Sequence, residues 1–420
     1  MPGIAFAFAH LHDRFPGATL VLQDIDADAL DLQRRLTASI VASCAPGAGI
    51  GVEAQPDRRR ALEGADLVLT AFRPGGFEAR HLDERIAIDH GVVGQETAGP
   101  GGVSMALRSV PIVLEILREV RELSSPDCLV LNYTNPVQIV SESVRRFAPD
   151  AAFVGLCDQT SGEIHRLARL LDVPPASIEI DTCGTNHMTF TRTVRIDGSD
   201  ETARVWQLLD AIPLEDLADE VERRIVRLFR LLRHIPSEYL QYFFFHDEVL
   251  AEQRAAGITR AQEVIAQLPE VLASYRREAD RPEPHPSMAR ASEEHGDFAV
   301  SIMADVLAGN AGRHILNLPN AGQVDDLPAG AIVETPAIVR GRRFEPIAQG
   351  SLPADVSGLV RQVAEHARLA AEAAASGDPS LLVRALALHP LVRSVDRAEG
   401  LAAAYLDAHQ AYLARLPRSA

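Results

Sequence analysis

Along the first 156 positions, apolar residues fall in short unbroken runs separated by amphipathic stretches, a pattern that predicts strands and helices in alternation. Ile4, Ala5, Phe6, Phe8 and Leu11, opened by Pro2 and stopped by Pro16-Gly17, spell a helix. Thr19 to Gln23 spells a strand that runs into Asp24-Ile25-Asp26, placing two carboxylates at its C-terminal end. A helix through Leu36 follows, and further strands are predicted over 51–54, 65–71, 128–132 and 152–156. The last three end in Arg73-Pro74-Gly75-Gly76, Tyr133-Thr134-Asn135-Pro136 and Cys157-Asp158. Near-continuous apolar strands between helices indicate a doubly wound parallel sheet covered on both faces, with ligands bound outside the strands' carboxyl ends. Beyond about residue 190 the alternation fades into long helical stretches, 214–232 the clearest, then an extended segment over 312–339 and two Ala/Leu-rich helices near the C-terminus. The expected class is therefore α/β, with residues 1–156 as the sheet domain and 157–420 as an α+β domain. The polar segment 277–286, with Pro282, Pro284 and Pro286, reads as a loop.

Composition narrows the chemistry. The 420 residues are 47% hydrophobic and 24% charged, and no apolar run approaches the roughly 18 residues a membrane helix needs. Fifty-eight acidic against 41 basic side chains give a net charge of -17, so neither membrane nor nucleic acid is expected as a partner. Every basic side chain is arginine, which excludes Schiff-base and P-loop chemistry, since both need a lysine amine. Cys44, Cys128, Cys157 and Cys183 are too few and too scattered for a disulfide framework, and a reducing cytoplasm is the expected compartment.

Two glycine runs invite comparison with nucleotide loops. Gly47-Ala48-Gly49-Ile50-Gly51 follows a helix and precedes a strand, the reverse of a dinucleotide fingerprint, and reads as a connecting turn. Gly99-Pro100-Gly101-Gly102 opens a helix over 103–120, and alone it is a weak anion signal. Asp24 and Asp26 carry more information, because a strand-end acid accepts from ribose hydroxyls in Rossmann-like sheets. The first strand and Gly-rich loop that should precede the first helix are missing from this reading, since that helix begins at residue 2.

Cys157 ends one strand and His187 follows thirty residues later in Gly184-Thr185-Asn186-His187-Met188. Each alone is more often a core thiol or a hydrogen-bonded structural histidine. Together at a cleft, thiolate and imidazole would hold a divalent ion and leave positions for substrate oxygens. Tyr239 and Tyr242, three apart and so expected on one helical face, are either an aromatic core stripe or a source of a phenolate base.

The ordered set of segments resembles glycoside hydrolase family 4, the NAD- and divalent-metal-dependent glycosidases, over nearly the whole chain. It runs from Leu-x-Asp-x-Asp at 22–26 and Ala-Leu-Glu-Gly-Ala-Asp at 61–66 through Arg-x-Gly-Gly-Phe-Glu-Ala-Arg-x-x-Asp-Glu-Arg at 73–85 and Gly-Val-Val-Gly-Gln-Glu-Thr-x-Gly-Pro-Gly-Gly at 91–102. Asn-x-Thr-Asn-Pro at 132–136, Gly-Leu-Cys at 155–157, Asn186-His187, Ser-x-Tyr-Leu-x-Tyr at 237–242, Thr-Arg-Ala-x-Glu-Val at 259–264 and Asn-x-Pro-Asn-x-Gly at 317–322 complete it. The Gly-Gln-Glu-Thr segment looks most like the 6-phospho-β-glucosidase branch. The resemblance implies a second domain like that of lactate and malate dehydrogenases, and a homo-oligomer, dimer or tetramer. It also implies a route unlike the two-carboxylate scheme: NAD⁺ oxidises the sugar at C3, a base removes the acidified C2 proton, the leaving group departs, water adds and the hydride returns.

Carried over, the resemblance makes Cys157 and His187 the ligands of a metal expected to be Mn²⁺, and Tyr239 or Tyr242 the base, with Tyr239 favoured. Asp158 becomes a candidate acid at the leaving oxygen, as in the α-phosphoglucosidase members; the β members tend to have Asn there. Asp24, Asp26, Arg73 and Thr97 are the candidate cofactor contacts. Asn135 and Asn186 would hold substrate hydroxyls, and Arg80 and Arg260 a sugar phosphate. The residues after Cys157 lack the family's usual proline, and Phe243 to Phe245 replace a tyrosine run. Two other readings stay open: a dehydrogenase of a hydroxy acid or polyol, and a sugar-binding relative without its cofactor.

Overall fold

The computed structural model describes residues 2–217, 219–289 and 293–413. The predicted parallel strands are present: β1 (Thr19–Leu22), β2 (Gly51–Ala54), β3 (Leu67–Thr70), β4 (Leu129–Asn132) and β5 (Phe153–Gly155). They divide into two sheets. β1 pairs only with β2, in parallel, while β3, β4 and β5 pair in parallel in a separate sheet. In a doubly wound order one more strand stands between β1 and β3. Among the described residues none does, and burial reflects it: all four residues of β4 are buried, whereas Leu67, Val68 and Leu69 of β3 are only half-buried.

The second half of the chain is not a detached unit. After the hairpin of β6 (Ile178–Thr185) and β7 (Met188–Ile196), extended by β8 (Ser199–Asp200) and β9 (Ile235–Pro236), the chain returns to the first sheet. β10 (Ala311–Pro319) joins β5 antiparallel through Asn317 and Gly155, and β11 (Ile332–Arg340) and β12 (Arg343–Pro346) continue the edge. The junction requires glycine: a Cβ on Gly155 would meet Ser141 Oγ at 2.4 Å and Asn317 Cβ at 3.0 Å. It sits two residues before Cys157.

Several predicted boundaries shift. The helix expected through Leu36 continues to Cys44, and the segment 214–232 is a 3₁₀ turn at Leu214–Asp216 followed by the helix Glu220–Leu232, because Asp219 caps a fresh start by accepting from the Val221 N–H. The extended segment 312–339 is two antiparallel strands. Asn320 folds the connection, its Nδ2 donating to the carbonyls of Val324 and Leu327. Three helices close the described chain where two were expected, Ser357–Ser376, Pro379–Leu388 and Val395–Ala408, the last opened by Ser394 accepting from the Arg397 N–H.

A buried ionic knot anchors that last helix. Asp83, on the helix Gly76–Asp89, accepts from both Arg108 Nη atoms at 3.0 and 2.6 Å and from His409 Nε2 at 2.8 Å; all three side chains are almost completely buried. Burial alone would raise the Asp83 pKa, but the hydrogen bonds from His409 and Arg108 outweigh it and hold the carboxyl below its ordinary range. Its stabilising contribution is thus present above the ordinary carboxylate range and lost as pH falls through the lowered folded value. Asp83→Asn leaves Arg108 buried without its countercharge, and urea unfolding near neutral pH should show a loss of about 3–5 kcal/mol that shrinks toward acid pH.

Candidate functional site

The site is assembled where the loops after β3, β4 and β5 meet the β6–β7 hairpin. Thr185 pairs with Met188, so Asn186 and His187 form a two-residue loop, and His187 takes the left-handed conformation at φ 62. A residue with a Cβ there costs about 1–2 kcal/mol that surrounding contacts must offset. The result is that the imidazole faces the β5 end, with Nε2 3.3 Å from Cys157 Sγ.

The tautomer follows from the next contacts. Gln95 Oε1 accepts from the Thr97 N–H at 2.6 Å and from the Ala98 N–H, which identifies it as the amide oxygen. The Thr97 hydroxyl, 3.0 Å from that oxygen, can only donate to it. Its own oxygen therefore accepts from His187 Nδ1–H at 2.9 Å, leaving Nε2 bare toward the thiol. Burial pushes the imidazole pKa down to about 3 and, with Glu334 and Asp158 adding repulsion, holds the Cys157 thiol well above its ordinary value. A neutral imidazole and a thiol 3.3 Å apart match the spacing of about 3.5 Å between sulfur and nitrogen ligands on one ion, which itself would draw off the thiol proton. No group of three or more His, Cys, Asp or Glu side chains able to hold a metal occurs among the described residues, so an ion on this pair would need water or substrate to complete its shell.

Tyr239 lies flat on His187, ring centroids 3.6 Å apart and planes at 5°. The Tyr242 ring is 6.0 Å from that of Tyr239, Tyr239 lying in the 3₁₀ turn Glu238–Leu240 and Tyr242 in the short helix Gln241–Phe244 that continues it. Ser237 opens the turn, its hydroxyl accepting from the Tyr239 N–H, and in such a turn side chains three apart lie one above the other. Burial and then Glu238 raise the pKa of both tyrosines, Tyr242 to about 12 and Tyr239 well above its ordinary value.

Around this core, Asn186 donates from Nδ2 to Glu334 Oε1 at 3.2 Å, and Asn135 stands past the end of β4 with its carbonyl accepting from Ser109. Asp158 opens the helix Gln159–Leu171 without a side-chain cap bond, and its charge acts on Cys157, His187 and Tyr133. Arg80 is buried between Glu84, at 2.7 Å, and Glu96, at 3.0 Å, and Glu96 also pairs with Arg73. Glu84 further accepts from the Ala261 N–H, tying this network to the helix Arg260–Glu278.

The structure thus brings Cys157, His187, Tyr239, Thr97 and Asn186 into one cluster, with Tyr242, Asp158, Asn135, Arg73 and Arg80 around it. Arg260 is exposed and pairs with Glu263. Asp24 and Asp26 lie at the exposed end of β1; Asp26 accepts from the Asp28 and Ala29 N–H groups as a helix cap, and Asp24 accepts from the Asp26 N–H. Glu84, Gln95 and Glu96 sit inside the family-like motifs without having been given roles. Glu334 was missed and carried no signal, since an acid inside Ile-Val-Glu-Thr reads as a surface position on a strand.

Comparison with known proteins fits this geometry. Residues 1–173 match the family 4 glycosyl hydrolase profile, and residues 182–392 match the family 4 glycosyl hydrolase C-terminal domain. The chain belongs to glycosyl hydrolase family 4. A probable 6-phospho-beta-glucosidase of Bacillus subtilis is 32% identical over 98% of this chain and 94% of its own length, and a maltose-6'-phosphate glucosidase of the same organism is 30% identical over 93% and 89%. The 6-phospho-beta-glucosidase of Thermotoga maritima, solved with manganese, NAD⁺ and glucose 6-phosphate, superposes with a TM-score of 0.88 at 26% identity, covering 99% of this chain and 97% of that one. A malate dehydrogenase of Plasmodium falciparum shares the fold, with a TM-score of 0.51 at 10% identity over 89% and 95% of the two chains. The Rossmann-like class and the dehydrogenase-like second half of this family 4 chain are therefore as expected.

Because Thr97 fixes the ring through one hydrogen bond, Thr97→Val should weaken Mn²⁺ binding by about 10- to 100-fold in a calorimetric titration, while Thr97→Ser stays near wild type.

Proposed function

We propose that this family 4 chain hydrolyses a 6-phosphorylated glucoside with the help of NAD⁺ and a divalent ion, Mn²⁺ in the first instance. The observation that carries the reading is the Cys157–His187 donor pair with Tyr239 stacked on it. When bound, the nicotinamide would accept and return a hydride at a sugar carbon, and the ion would act as a Lewis acid toward adjoining sugar oxygens. Cys157 and His187 would hold that ion. Tyr239 would take the proton from the neighbouring sugar carbon, with Tyr242 as the alternative, and Asp158 would protonate the leaving oxygen. Asn135 and Asn186 would hold sugar hydroxyls and so set which carbon faces the base.

For the cofactor, Asp24 at the end of β1 suits ribose hydroxyls, with Asp26 committed to its helix cap, and Arg73 lies past the end of β3 beside Glu96. Thr97, another candidate cofactor contact, would act through His187. A pyrophosphate cradle is not found among the described residues at the switch point between β1 and β3. Phosphate recognition would fall to guanidinium groups; Arg80 is already shared by Glu84 and Glu96, which favours Arg260. Under this reading residues 1–156 serve the cofactor and 157–420 the metal and sugar. A cytoplasmic homo-oligomer is part of the proposal, supported by four free cysteines. Among the described residues no helix is long and apolar enough to cross a membrane.

The test is aglycone release from p-nitrophenyl glucoside 6-phosphates of both anomers. Release should require NAD⁺ and Mn²⁺ together and leave no net NADH. Undiminished turnover in metal-free protein would overturn the reading, and accumulating NADH would favour a dehydrogenase. NAD⁺ calorimetry separates a third case, because glucose 6-phosphate binding without NAD⁺ binding would indicate a sugar-binding protein. Tyr239→Phe should lower kcat by about 10²- to 10⁴-fold with little change in KM.

A further inference from the structure

Glu334 lies on β11, one strand away from the sheet position that carries the catalytic loop after β5, and its side chain is completely buried. Its Oε1 accepts from Asn186 Nδ2 at 3.2 Å and from Asn317 Nδ2 at 3.1 Å, while Oε2 is buried with no hydrogen-bond partner among the described residues. One group therefore ties Asn186, the neighbour of left-handed His187 in the two-residue hairpin loop, to Asn317 at the β5–β10 junction. A carboxyl group is costly to bury, and apolar Val333 beside it is equally buried, so this position would accept an apolar side chain if filling space were its only task.

We propose that Glu334 is a positioning residue for the sugar site: it holds the Asn186 carboxamide in the orientation that meets a substrate hydroxyl. The inference rests on the reading in which Asn186 contacts the sugar. Without Glu334, the Asn186 N–H₂ group loses its carboxylate acceptor and keeps only the Cys157 sulfur as a partner among the described residues, so its carbonyl and amino ends are held less firmly in place. A glutamine at 334 keeps one carbonyl oxygen for the two amide donors and should largely preserve the arrangement.

The experiment is calorimetry of glucose 6-phosphate binding to Mn²⁺-loaded wild type, Glu334→Ala, Glu334→Gln, Asn186→Ala and the Glu334→Ala/Asn186→Ala double variant, with thermal midpoints recorded for each. Each alanine variant should bind about 10-fold more weakly, the double variant no more weakly than either, and Glu334→Gln within about threefold of wild type. Additive losses overturn the proposal, as does wild-type affinity in folded Glu334→Ala. Should Glu334→Ala not fold, loss of sugar affinity in a folded Glu334→Gln, with normal affinity for Mn²⁺, overturns it in the same way. If Asn186→Ala binds the sugar normally, or wild type does not bind it, the functional reading itself fails and the proposal falls with it.

Discussion

The donated hydrogen bond from His187 Nδ1 to Thr97 is the contact on which the site's chemistry depends. An imidazole that presented Nε2–H to Cys157 could not be a ligand from that atom, and the ring has two equivalent-looking ways to sit in its turn. The choice is made about sixty residues before Cys157 in the chain, by Gln95, whose amide oxygen is identified by two backbone donors and so forces the direction of every hydrogen bond after it. A loop between two helices thereby sets the state of a group on a β-hairpin.

That arrangement holds only if the hairpin and the sheet keep their relative places. The junction of Gly155 with Asn317 supplies this constraint, since the second half of the chain enters the first sheet there and any side chain on Gly155 would separate them. Cys157 follows Gly155 by two residues, and Asn317 shares Glu334 with Asn186. Sheet pairing and site geometry are consequently one problem. A packing change at the junction would therefore reach the Cys157–His187 pair.

Much of this was legible in the chain. Apolar runs ending in Asp24, Arg73, Asn135 and Cys157 marked the carboxyl edge of the sheet, because a parallel sheet buried on both faces leaves little else for polar residues to do there. His187 was legible through its neighbours in the motif, though not its left-handed backbone. Tyr239 and Tyr242 were legible as neighbours from their spacing, but spacing cannot reveal that Ser237 opens a 3₁₀ turn there. Glu334 was hidden because a strand pattern assigns faces only when one face meets solvent, and β11 is covered on both. The order of elements marked a first helix without a strand ahead of it, but not that β1 and β2 form a sheet apart from β3 to β5.

The electrostatics explain why a base and a metal pair should lie in contact. Burial and then Glu238, Cys157, Tyr242 and Glu96 all raise the Tyr239 pKa, the wrong direction for a phenol that must accept a proton near neutrality. Arg80 is the cation felt by its hydroxyl, yet Glu84 and Glu96 already share that charge. A second positive charge is needed close by, and the position available to it is the Cys157–His187 pair, whose imidazole lies against the phenol ring. A dication there would stabilise thiolate and phenolate together, so that the same low-dielectric burial that makes Tyr239 inert alone would strengthen its activation once the ion is bound. With Tyr239 as the base of the proposed reaction, the stacked geometry would couple the two roles, the phenol becoming basic only with the ion in place.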